Sequence, residues 1–239
     1  MIKATLNKIR NFWVRRSSQT FVSFLRQKGV KIGDNTYFQN PRFTEIDLTR
    51  PSLVSIGDNC FFNKGIVILT HDWVSHVFRN LGKEVVNSSG RVTIGNNVAF
   101  GQGVTILKNV TIGDNCFIGA NSLVTKSIPS NSIAAGVPAK VIMSVEDYYE
   151  KRLAEREEEA FDYARSIKER FGRMPVAADF WEEFPLFVDG SEVDAYTELP
   201  VRRYLGPTYG RYVKEHRAKY SSLDDFLKAA GLHPDESIK

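Results

Sequence analysis

Histidine and cysteine are scarce in this 239-residue chain, with four of the first and two of the second. Two cysteines are too few for the disulfide framework of a small secreted domain. Cys60 and Cys116 each follow an Ile-Gly-Asp-Asn run at the same offset, which puts them at equivalent places in a repeat. They read as reduced core thiols, with a disulfide between them as the alternative. A long apolar run is also missing: residues 1–14 scatter Lys3, Lys8 and Arg10 among apolar positions, so neither a signal peptide nor a membrane span is expected and a cytoplasmic location is. Acid is absent from residues 1–30, which hold Lys3, Lys8, Arg10, Arg15, Arg16, Arg26 and Lys28. The net charge of +4 therefore reports a basic arm on a chain that is otherwise slightly acidic, and no nucleic-acid signature or partner goes with it. With 42% hydrophobic and 25% charged residues, the composition is that of an ordinary globular protein.

What is present in abundance is a period of six. Aliphatic or aromatic residues fall at Ile94, Phe100, Ile106, Ile112, Ile118 and Val124 without a slip, and again at Ile56, Phe62 and Ile68. Glycine follows the apolar position at Gly33, Gly57, Gly95, Gly101, Gly113 and Gly119. A hexad repeat implies one short strand per hexad and three hexads per coil, with each apolar residue pointing into a narrow triangular prism. Coils then stack at the parallel-strand spacing of about 4.8 Å. The chain turns sharply between strands, and Gly, Asn and Asp tolerate the left-handed backbone conformation that such corners require. The register breaks between Phe38 and Ile56 and again between His71 and Val92, so residues 73–91 are expected to leave the coil as an external loop, the kind of segment on which function concentrates.

Past Ile142 the period changes. Ser144 with Asp147 three residues later has capping-box spacing, and Val145, Tyr149, Leu153, Ala160, Phe161, Ala164, Ile167 and Phe171 recur at helical steps up to Gly172. Shorter helices are expected over Ala177 to Phe184 and Ser222 to Ala230. Ile2, Leu6, Ile9 and Trp13 form a helical apolar stripe on the basic arm. The expected organisation is thus a basic amphipathic helical arm over 1–30, a β-helix over 31–143 and a mostly helical extension over 144–239.

The hexads of Val92 to Ile142, closed by Ile128-Pro129 and Ala135-Gly136-Val137-Pro138-Ala139-Lys140, resemble the cap of the hexapeptide-repeat acyltransferases. Leu69-Thr70-His71-Asp72-Trp73, ending a coil just before the loop, is most similar to the polysaccharide and sugar O-acetyltransferases of that family. The resemblance covers roughly 30–143 and implies a left-handed parallel β-helix, although ordinary parallel crossovers are right-handed. It further implies acetyl-CoA as donor, no metal, a homotrimer with active sites between subunits, and a sugar or surface-polysaccharide hydroxyl as acceptor. His71 matches the family's general base. Independently of the family, an imidazole has an ordinary pKa of about 6.5 and can accept a hydroxyl proton near neutrality. Asp72 would orient that imidazole or else face solvent. Asn63, Arg50 and Trp73 are candidate acceptor contacts, the first two also plausible as corner caps. Gly101, Gly119, Ala120, Thr125, Lys126, Gly136 and Lys140 match the coenzyme A positions. Lys126 and Lys140 would meet phosphates, and the Gly101 amide is the family-like oxyanion donor.

Three other readings compete. His71 and His76 could begin a zinc site of the γ-carbonic-anhydrase kind, but such a site needs a third histidine, and only His216 and His233 remain, far along the chain. Residues 1–30 could make the protein a non-catalytic scaffold docked on a membrane, although capping the open end of a β-helix is the commoner use of such an arm. The acceptor could be the amine of a nucleotide-linked amino sugar. No Gly-x-Ser-x-Gly elbow is present, so a covalent acyl-enzyme is not expected.

Overall fold

The computed structural model describes residues 13–233. The chain separates into two compact units, one ending at Tyr149 and one beginning at Glu150.

The first unit is a left-handed parallel β-helix with three strands per coil. The first coil is β1 (Lys31–Ile32), β2 (Tyr37–Phe38) and β3 (Glu45–Ile46), and the second is β4 (Val54–Ile56), β5 (Phe61–Phe62) and β6 (Val67–Ile68). The third is β7 (Val92–Ile94), β8 (Val98–Phe100) and β9 (Thr105–Ile106), and the fourth is β10 (Val110–Ile112), β11 (Cys116–Ile118) and β12 (Leu123–Val124). Strands of equal rank stack into three parallel sheets, in the orders β1-β4-β7-β10, β2-β5-β8-β11 and β3-β6-β9-β12. β13 (Ser132–Gly136) extends the second sheet, and β14 (Ala139–Ser144) closes it antiparallel.

The hexad residues do what their period requires: Ile94, Phe100, Ile106, Ile112, Ile118 and Val124 are all buried. Phe38, Phe62 and Phe100 stack face to face up the prism, with centroids 4.5 and 4.7 Å apart, which is the coil spacing itself. Seven asparagines, including Asn35, Asn59, Asn97 and Asn115, hold the left-handed conformation at the corners. The glycine two residues earlier is required for a different reason, because there the coils nearly touch. A Cβ on Gly57 would stand 2.5 Å from the Gly95 carbonyl oxygen. That approach also lets the Asn96 side chain accept from Asp58 N at 2.9 Å and the Asp114 carboxylate accept from Asn96 N at 2.6 Å, so each corner is capped by the next coil. Gly57→Ala is expected to destabilise the protein by about 1–3 kcal/mol, read as a lower urea midpoint with an unchanged slope.

The break between Phe38 and Ile56 is two 3₁₀ turns, Pro41–Phe43 and Pro51–Leu53, each inserted at a corner, so the third strand of the first coil survives as Glu45–Ile46. The N-terminal end of the prism is covered by α1 (Ser18–Lys28), started by a Ser17–Thr20 capping box and ended by Gly29 at φ 99°. Phe21 and Leu25 are fully buried there, and Phe21 meets Phe38 edge-on at 5.2 Å. Of the apolar stripe on the arm, Ile2, Leu6 and Ile9 lie outside the described residues, and Trp13 is exposed. Cys60 and Cys116 are free, buried thiols set against carbonyls of the neighbouring turns. Among the described residues no helix is long and apolar enough to cross a membrane.

The long helix α3 (Val145–Phe171) begins as its capping box predicts, with Asp147 N donating to Ser144 Oγ at 3.0 Å. The second unit has its own aromatic core, in which Phe180, Phe184, Phe187 and Phe226 are fully buried. Its remaining α-helices are α4 (Val201–Leu205), α5 (Tyr209–Glu215) and α6 (Leu223–Ala229), the last capped by Ser222 as expected. The helix expected over Ala177 to Phe184 is instead two 3₁₀ turns, Ala177–Asp179 and Phe184–Leu186. Asp179 accepts from Val176 N at 2.9 Å and pairs with Arg173, which closes a local turn that competes with the helix.

Candidate active site

Ile46 and Ile68 are stacked partners in the third sheet, so the two chain segments leaving β3 and β6 enter the same corner one above the other. The lower segment carries Asp47, Thr49 and Arg50, and the upper carries Thr70 and His71. The Asp47 carboxylate, 4% exposed, lies 2.5 Å from His71 Nδ1. Its Oδ2 also accepts from the Thr70 hydroxyl and from Thr70 N at 3.3 Å, and its Oδ1 accepts from Thr49 N and Oγ1 at 2.9 and 2.7 Å. Burial by itself would raise this carboxyl, but hydrogen bonds from Thr49, Thr70 and His71 outweigh it and hold Asp47 well below the usual carboxylate range. An ionised carboxylate only accepts, so Nδ1 is the donor to Asp47 and Nε2 is the ring nitrogen turned away from it. His71 itself is part-buried. The Trp73 ring, 77% exposed, stands 6.0 Å from the imidazole, and Arg50 donates to Thr49 Oγ1 at 3.3 Å.

Asp72 does not touch the imidazole. Its Oδ2 accepts from Lys108 Nζ and from Ser88 Oγ, and its Oδ1 accepts from Val74 N. Lys108, followed by Ser88 and Val74 N, holds the Asp72 carboxyl below the usual carboxylate range. The orienting carboxylate is therefore Asp47, which sequence reasoning missed. The signal was there: Ile46 keeps the inward hydrophobic place of a third strand, but it lies inside the first register break, where the hexad count is lost.

The remaining candidates divide by corner. Asn63 accepts from Lys64 N with its own Oδ1 at 2.7 Å, which caps the corner between β5 and β6. Gly101, Gly119 and Ala120 lie on that same prism edge, whereas His71 lies on the next one, across the third sheet. The Gly101 amide donates to Ile118 O at 2.8 Å, so it is spent on coil stacking and is not a free oxyanion donor. Thr125 and Lys126 follow β12 on the His71 edge. Gly136, at φ 105°, turns β13 into β14 and donates to Ser122 Oγ at 3.1 Å. Lys126 and Lys140 are exposed, and neither has an ion-pair partner among the described residues. No group of three or more metal-binding side chains occurs among the described residues.

The hexads thus build a parallel β-helix, with a carboxylate-held histidine at the point where a loop leaves the coil. The model of the family described as bacterial transferase hexapeptide (six repeats) matches residues 91–126. The chain is 37% identical over 147 residues to protein CapG of Staphylococcus aureus, covering 60% of this chain and 79% of that one. It is 40% identical over 138 residues to the galactoside O-acetyltransferase of Escherichia coli, covering 57% of this chain but only 63% of the relative's length. A solved galactoside acetyltransferase in complex with coenzyme A is 27% identical with a TM-score of 0.36, over 61% of this chain and 82% of that one. This chain belongs to the bacterial hexapeptide-repeat transferase family.

Proposed function

We propose that this chain is an O-acetyltransferase that moves acetyl from acetyl-CoA to a hydroxyl of a sugar or surface-polysaccharide precursor by direct attack. The observation that carries the reading is the Asp47–His71 pair, which leaves Nε2 as an acceptor beside the exposed Trp73. The relative named a galactoside O-acetyltransferase supports both an acetyl donor and a sugar acceptor.

Acetyl-CoA supplies an already activated acyl group with a good leaving group, so the protein needs a base and positioning rather than a nucleophile. His71 Nε2 takes the proton of the acceptor hydroxyl as its oxygen bonds to the thioester carbon. The C–S bond breaks, and the imidazolium, paired with Asp47, returns the proton to the departing sulfur. Arg50 and Trp73 flank the acceptor. Gly119, Ala120, Thr125 and Gly136 offer backbone and close approach to the pantetheine arm, and Lys126 and Lys140 hold the phosphates. Gly101 contributes by its missing Cβ. The glycine corners and His71 stand on different edges of one prism, so a donor groove serving this base runs between two copies, as a homotrimer provides. A cytoplasmic location, where acetyl-CoA is abundant, accords with this reading.

The test is incubation with acetyl-CoA and a panel of glycosides and nucleotide sugars. Free thiol is expected only with a hydroxyl acceptor present, and the product should lose its acetyl group in mild alkali, as esters do. An alkali-stable product would identify an amine acceptor instead, and no thiol release with any acceptor would overturn the reading.

A further inference from the structure

The external loop hangs from the coil by a narrow neck in which residues 70–72 run antiparallel to 88–90. Gly90 N donates to Thr70 O at 2.8 Å, Asp72 N donates to Ser88 O at 3.2 Å, and His71 pairs with Ser89 between these two bonds. Beyond the neck the loop has little to hold it. It contains one short helix, α2 (Val74–Asn80), with no buried residue, and Val77, Leu81, Val85 and Val86 are all exposed. A segment without buried apolar contacts opens easily unless polar bonds pin its ends.

Lys108 supplies that pin. It follows Ile106 by two residues, as Thr70 follows Ile68, and Ile68 and Ile106 are register partners, so Lys108 stands one coil above the neck. Its Nζ donates to Asp72 Oδ2 on the outgoing strand and to Ser88 Oγ on the returning one, and Ser88 Oγ donates to Asp72 Oδ2 at 2.7 Å. Asp72 Oδ1 meanwhile accepts from Val74 N at 3.0 Å and starts the loop helix. One cation on the rigid coil thus ties together both strands of the neck, and His71 lies on the outgoing strand directly before the tied Asp72.

We propose that Lys108 is a positioning residue: through Asp72 and Ser88 it clamps the neck of the 73–91 loop and so fixes the backbone of His71, while Asp47 fixes the ring. The proposal rests on the reading of His71 as the base. Lys108 does not touch the imidazole. Its effect is mechanical, and a displacement of the order of 1 Å at a reacting group is enough to cost up to about a hundredfold in rate.

The experiment compares Lys108→Met, Lys108→Arg and His71→Ala in the full chain, reading kcat, KM for acetyl-CoA and amide exchange at Asp72 and Gly90. Lys108→Met is expected to exchange about tenfold faster at both amides. It should lose about ten- to a hundredfold in kcat with KM for acetyl-CoA unchanged. Lys108→Arg should recover both, since a guanidinium can reach the same two oxygens. Unchanged exchange in Lys108→Met overturns the clamp, and so does faster exchange with a wild-type kcat beside a low kcat in His71→Ala. A wild-type kcat in His71→Ala overturns the base itself, and the positioning role with it.

Discussion

Replacing His71 with alanine should lower turnover by about two to four orders of magnitude. The fold should be unaffected, because the side chain is only part-buried, at the rim of a corner, and contributes nothing to the prism. Unchanged circular dichroism and thermal midpoint, measured beside the rate, separate loss of chemistry from loss of structure. Imidazole added to the variant offers a further check, since a small base that enters the gap should restore part of the rate. A variant that turns over like the wild type would remove the proposed mechanism.

Asp47→Asn should cost nearly as much, for a reason that lies in the donor count. Five donors converge on the two carboxylate oxygens: Thr49 N and Oγ1 on one, and Thr70 N, Thr70 Oγ1 and His71 Nδ1 on the other. An amide must turn its NH₂ toward one of these sets and oppose a donor with a donor. Either the ring loses the tautomer that leaves Nε2 free, or the turn at Thr49 opens. Turnover is expected to fall by about two to four orders of magnitude, and stability by about 1–3 kcal/mol for the groups left unpaired. The pH dependence carries a matching sign. The Asp47 carboxyl is held below its ordinary range in the folded protein, so its contribution is in place above the ordinary carboxylate pKa and is lost only as pH falls through the depressed folded value. Wild type should therefore lose stability relative to Asp47→Asn on strong acidification. A difference that persists unchanged into strong acid would contradict an ionised Asp47.

How much of the site could be read beforehand follows from which interactions repeat. His71 was legible because it ends an uninterrupted run of hexads, Ile56, Phe62 and Ile68, whose period places it at a corner. Asp47 was not, because the inserted 3₁₀ turns Pro41–Phe43 and Pro51–Leu53 disguise Ile46 as a loop residue. Asp72 drew attention by adjacency, yet neighbours in an extended neck point to opposite sides, so its carboxylate faces Lys108 while the imidazole faces Asp47. Likewise Gly101 carries the glycine of a corner, but only the stacked coils reveal that its amide is already committed to Ile118.

The amino-acid sequence by itself determined the prism. A side chain that must be buried every sixth residue, with asparagine and glycine at each turn, admits few ways to satisfy both burial and backbone hydrogen bonding, and the parallel coil is the one seen here. Tertiary structure alone decided the partners of His71 and of Lys108. The contacts that build the site join residues two dozen or more positions apart, Asp47 with His71 and Asp72 with Lys108. That separation depends on every insertion in between, and no local pattern records it.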